Sequence, residues 1–178
     1  MNKLERNVYC IIPEGKKIDI KLLDTYLYLL QNEDDFSLKV WYKDLSSDKT
    51  NVISVICSKE NRNSCIEAIE TLMCKEGLIG LDDSDAFRYM GGELGYSYFG
   101  EYSIRQEDDR LIVSDVDNAK FFCKEAKGVV VLIDGWYSLL EAQEILEQLE
   151  LDDVEIAYQV HVGENKKNGK VYIWTSDL

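Results

Sequence analysis

The chain has 178 residues, 46% hydrophobic content and a formal net charge of −14 at pH 7. It can therefore bury a full core in one domain, while its scarcity of clustered Lys and Arg excludes a binder of free nucleic acid, whose phosphates demand cations. No apolar run reaches transmembrane length and the start Met1-Asn2-Lys3-Leu4-Glu5-Arg6 lacks the apolar segment of a signal peptide, so a cytosolic (cytoplasmic) protein with no membrane partner is expected.

In chain order, Val8 to Ile12 is an apolar strand, and Ile20, Leu23, Tyr26, Leu27 and Leu30 make a helical stripe. Phe36, Leu38, Val40 and Tyr42 then alternate with Ser37, Lys39 and Trp41, the turn Asp44 to Asn51 is polar, and Val52 to Cys57 returns as the second arm of a hairpin. Ser64 and Glu67 have the spacing of a capping box, Cys65, Ile69, Leu72 and Met73 supply a helical stripe, and Gly77 stops that helix near Glu76. Leu78 to Leu94 shows no sustained period and reads as a structured loop.

Tyr96, Tyr98, Tyr102 and Ile104 alternate, Gln106 to Asp109 form a polar turn and Leu111-Ile112-Val113 returns, a hairpin in which Gly100 marks a bulge or a close backbone approach. Asp115 or Ser114 caps a helix carrying Val116, Ala119, Phe122, Cys123 and Ala126, ended by Gly128. Val129 to Ile133 is an unbroken β-branched and aliphatic run, the composition of a strand buried on both faces and placed mid-sheet. Ser138 precedes Glu141 by three, a second capping-box spacing, and Ala142, Ile145, Leu146 and Leu149 follow as an amphipathic stripe. Val154, Ile156, Tyr158, Val160 and Val162 alternate with polar residues and Ala157, and after the turn Gly163 to Gly169 the segment Val171 to Trp174 completes a hairpin.

Both ends thus read β-α-β-β, a pattern repeat between residues 7–57 and 128–175 with slight residue identity. The fold class expected is α+β: a single mixed-sheet domain over residues 1–178 with about eight strands and four helices.

Chemical motifs are weak. Gly91-Gly92 and Gly95 lack the strand-loop-helix context and the Lys-Ser/Thr of a phosphate loop, and read as turn glycines. Asp82, Asp83 and Asp85 lack the glycine and later glutamate of a calcium loop, and read as a solvated acidic loop. His161 is the sole histidine, which rules out a multi-histidine metal site and leaves it an ordinary residue on an exposed strand face. The five cysteines, Cys10, Cys57, Cys65, Cys74 and Cys123, contain no C-x-x-C pair and read as reduced, packed thiols. No cofactor or metal is implied. Asp134-Gly135-Trp136-Tyr137, just past the carboxyl end of the apolar strand, is the best small-molecule position; the competing reading is a tight turn with an aromatic staple.

Charge is the stronger signal. Residues 78–155 hold 19 acids and 6 bases, and no Lys or Arg occurs between Lys127 and Lys166. Asp134, Glu141, Glu144, Glu147, Asp152 and Asp153 fall in that interval, with Trp136 and Tyr137 beside them as aromatic anchors. Glu141, Glu144 and Gln148 are placed opposite Leu146 and Leu149, without a lysine four residues on to neutralise them. The functional expectation is an acidic cytosolic inhibitor that masks a basic protein partner, as an immunity protein neutralises a toxin nuclease. A nucleic-acid mimic that blocks a DNA- or RNA-binding enzyme uses the same electrostatics, and a small-molecule enzyme built on Asp134, Tyr137, His161 and the tyrosine-rich hairpin is the third reading.

Overall fold

A computed structural model describes residues 8–13, 26–31, 37–43, 50–74, 77–78, 81, 83–92, 95–135, 137–162 and 169–176. Among the described residues the chain runs β1 (Val8–Pro13), β2 (Tyr26–Gln31), β3 (Ser37–Lys43), β4 (Thr50–Ile56), α1 (Arg62–Cys74), α2 (Asp83–Gly91), β5 (Tyr96–Glu107), β6 (Arg110–Val113), α3 (Val116–Lys124), β7 (Gly128–Gly135), α4 (Leu139–Glu147), β8 (Glu155–Val162) and β9 (Lys170–Ser176). The strands form one mixed sheet in the order β1-β2-β3-β4-β5-β9-β7-β8, with β6 paired to β5. The fold is α+β, as expected.

Alternation along the strands assigns each side chain to a face. On one face Ile53, Val55, Phe99, Val130, Leu132, Tyr172 and Trp174 meet Cys65, Ile66, Ile69 and Leu72 of α1 and Ala86 and Met90 of α2. On the other, Tyr102, Ile104, Val129, Val131, Ile133, Val171 and Ile173 meet Ala119 and Cys123 of α3 and Ala142, Ile145 and Leu149 of α4. Val129 to Ile133 are all fully buried, which explains why that stretch carries no polar residue on either face.

Several expectations are corrected. Tyr26, Leu27 and Leu30 belong to a strand, since Tyr26–Gln31 pairs in parallel with β1 and antiparallel with β3; a short unbroken run of apolar and aromatic residues fits a strand as well as a helix, and pairing decides. Residues 14–25 lie outside the described residues. β7 is flanked on both sides, yet it sits one strand from the end of the sheet order rather than in the middle. β8 and β9 are not a hairpin: β8 pairs in parallel with β7, and β9 pairs antiparallel with the other side of β7 and with β5. The segments around β1–β4 and β7–β9 therefore have different pairing schemes, whereas β3–β4 and β5–β6 are the hairpins expected.

Ser64 lies inside α1, which starts earlier: the Asn61 carbonyl accepts from Cys65 N at 2.8 Å, and Ser58 Oγ accepts from Asn61 N at 3.2 Å. Residues 83–91 form a helix, although this part of the sequence shows no sustained period and reads as a loop. Ala86 and Met90, one turn apart, are buried, and the helix ends where Gly92 adopts φ 54° and donates to the Arg88 carbonyl at 3.0 Å. Asp115 stands at the start of α3 in the left-handed region without a side-chain cap bond, and α3 ends at Lys124, so Gly128 opens β7 instead of closing the helix.

In β5 the buried positions switch from Ser97 and Phe99 to Tyr102 and Ile104. The β5–β9 register runs unbroken through Gly100, so the switch comes from which helices cover each end of the strand, and Gly100 is a close approach: a Cβ there would lie 3.2 Å from the Phe122 ring.

Candidate functional site

The carboxyl end of β7 divides the sequence-predicted residues between the two faces of the sheet. Asp134 follows Val130 and Leu132 on the α1–α2 face, and its Oδ1 meets His161 Nδ1 of β8 at 2.7 Å. Register places these two residues side by side, with Lys170 of β9 on the other flank of Asp134. Lys170 in turn donates to the carboxylate of Glu101 and lies 5.9 Å from the Tyr172 ring centroid. His161, Asp134, Lys170 and Glu101 thus form a cross-strand row in which two carboxylates alternate with an imidazole and an ammonium group. The His161 side chain is only 16% exposed and that of Glu101 only 17%, which corrects the reading of His161 as an ordinary exposed residue. Burial raises the Tyr172 phenol above its ordinary range, and the carboxylates of Glu101, Asp134 and Glu67 add to that.

A carboxylate fixing one imidazole nitrogen is the orienting half of an acid–base device. Among the described residues no hydroxyl or thiol is hydrogen-bonded to His161. Among the same residues no three His, Cys, Asp or Glu side chains group as metal ligands do.

Tyr137 does not join this row. It lies in the core of the other face at 2% exposure, its ring laid over Gly135 and Gly169. A Cβ at Gly169 would fall 1.5 Å from the Tyr137 hydroxyl and one at Gly135 would fall 2.2 Å from the ring. Burial pushes the Tyr137 phenol up to about 12, with Asp134 and Glu141 contributing. Tyr137 is therefore not a surface aromatic. Trp136 lies outside the described residues, as do Asp82 and residues 163–168.

The acidic residues sit around α4. Its capping box is formed: Ser138 Oγ accepts from Glu141 N at 3.2 Å, and Glu141 Oε2 accepts from Ser138 N at 2.7 Å. Gln148 is not on an open face; its amide bridges to β6, donating to the Leu111 carbonyl at 2.8 Å and accepting from Val113 N at 3.0 Å. Solvent instead meets Leu139, Leu140, Gln143, Glu147 and Glu150, followed by Asp152 and Asp153. Leu139 and Leu140 are 56% and 78% exposed. The gap in positive residues is partly closed in space, because Lys120 of α3 reaches Glu150 at 2.6 Å.

The thiols resolve into packed groups. Cys57, Cys65 and Cys123 are free and buried. A hydrogen bond from Cys65 lowers the Cys57 thiol, with Arg62 adding to it, while burial raises Cys65 and pushes Cys123 up to about 12. The side chains of Cys10 and Cys74 lie outside those described.

Among the described residues no helix is long and apolar enough to cross a membrane. No protein-family model matches the chain, and no curated protein matches it in sequence.

Proposed function

We propose that the protein is an acidic binding protein of the inhibitor type, which uses the outer face of α4 to engage a basic macromolecular partner, in the manner of an immunity protein covering a toxin nuclease. The observation that carries this reading is the pair of leucines left in solvent at the start of α4, with Glu141, Glu144 and Glu147 along the helix and Asp152 and Asp153 beyond its end. An apolar anchor beside a charged field is the division of labour found in specific interfaces: desolvated side chains set residence time, and rim charges set encounter rate and partner choice. A mimic that occupies the nucleic-acid site of its target would use the same surface, and competition between the protein and nucleic acid for the captured partner separates the two.

The test is affinity capture with two variants alongside the parent. Reversal at Glu147, Asp152 and Asp153 is expected to slow association about tenfold at low salt and to flatten its salt dependence. Leu139→Ser with Leu140→Ser is expected to speed dissociation with little change in association. Retention of the same partners, rates and salt dependence by both variants would sink the proposal.

The enzyme reading is favoured by a different observation, the half-buried row His161–Asp134–Lys170–Glu101. It requires a substrate that reaches the His161 ring. An Asp134→Asn change that leaves reactivity of the ring toward diethyl pyrocarbonate unchanged would remove that reading.

A further inference from the structure

The α3 side of β5, on the same face as Tyr102, carries a small pocket of about 170 Å³ that shares no lining residue with α4 or the charged row. Its lining includes the rings of Tyr96, Tyr98 and Phe122 together with Glu125 and Thr175. The strand geometry builds it. Tyr96, Tyr98 and Gly100 share one face of β5, Thr175 of β9 is the register partner of Tyr98, and the absence of a side chain at Gly100 lets the Phe122 ring of α3 settle beside the tyrosines. The Tyr96 and Tyr98 rings stand at 89° with centroids 5.8 Å apart, so two aromatic walls meet at a right angle. Tyr98 is 47% exposed, an arrangement that leaves a large aromatic surface wet.

We propose that this pocket binds an alkylated ammonium group. Its volume is below the roughly 300–1,000 Å³ of pockets for drug-sized ligands, so it suits one compact head group. Perpendicular aromatic walls with a third ring present π-electron density on several sides of such a group, which a cation exploits and a neutral group does not. Glu125 adds a carboxylate, and it occupies the C-cap of α3, the end of a helix that favours positive charge. Lys124 and Lys127 are exposed on neighbouring positions outside the pocket lining and oppose a bound cation, so recognition rests on the rings and Glu125. The shared chemistry is the methylated ammonium head, whether free or carried on a lysine side chain.

Choline, its uncharged tert-butyl isostere and a peptide bearing trimethyllysine are the probes, titrated into the full chain and followed by NMR shifts of the Tyr98 and Phe122 ring signals. Choline or the peptide is expected to bind at least about tenfold more tightly than the isostere, and the stronger of the two identifies whether the head is free or peptide-borne. Tyr98→Ala is expected to abolish the shifts while hydrogen exchange in β7 stays unchanged, since the ring is half exposed; Glu125→Gln is expected to weaken binding several-fold. Equal binding of choline and the isostere, ring shifts that survive Tyr98→Ala, or no shift with any probe would overturn the proposal.

Discussion

The two faces of the sheet are lined by the same strands and yet end differently. Along β7 the residues Val129, Val131 and Ile133 continue into a sealed apolar region, where Tyr137 closes the end by lying over Gly135 and Gly169. The alternate residues Val130 and Leu132 lead to Asp134 and its row of half-buried charges. A strand buried on both sides is therefore uniform only over its middle, and what packs beyond its last residues decides whether an end becomes core or polar site.

The sharpest way to break this comparison is at the glycines. Gly169→Ala would place a methyl within 1.5 Å of the Tyr137 hydroxyl, and because that ring is buried it must leave its seat. A loss of about 3 kcal/mol or more is expected in urea unfolding. A loss below about 0.5 kcal/mol would mean that the ring is not held there.

Alkaline titration sharpens the same contrast. On the sealed face Tyr137 and Tyr102 are pushed from about 10 to about 12 and Cys123 from about 9 to about 12, each chiefly by burial. The unfolded chain releases these protons from pH 9 or 10 upward while the folded chain holds them to about 12, so the unfolded state binds fewer protons and stability falls across that window. The expected loss is about 2 kcal/mol per fully buried group. Tyr137→Phe should flatten that fall; an unchanged alkaline limb would contradict the burial of this phenol.

On the charged face, a double-mutant cycle on Asp134→Ala and His161→Ala should give a coupling of about 1 kcal/mol, as for a partly buried charged hydrogen bond. Zero coupling would reduce the row to a surface pattern. Smaller still, Ser138→Ala removes one half of the capping box and should cost about 1 kcal/mol or less, read by the same unfolding midpoint. Asp152→Lys with Asp153→Lys should shift it by less than about 0.5 kcal/mol, because both side chains are exposed; a larger change would mean that the acidic turn serves the fold rather than a partner.

Sequence by itself determined most local structure here. The all-apolar run Val129 to Ile133, the Ser138–Glu141 box and the hairpins β3–β4 and β5–β6 follow from composition, spacing and turn residues, which act over a few positions. α2 escaped because its sequence shows no sustained apolar period, although Gly92 just past its end stands where a helix stop is expected. Of the candidate site, the acidity around α4 was legible, since charge needs only counting. Which residues share a surface was not: Leu139 and Leu140 emerge because the buried stripe of α4 turns them outward, Tyr137 is buried by glycines, and Lys120 reaches Glu150 from another helix. Only tertiary structure decided that β9 passes to the far side of β7, so that Lys170 and Glu101 join Asp134 and His161. Strand order is set by long-range pairing, which here brings together Lys170 and Glu101 from 69 residues apart, beyond the reach of any local pattern.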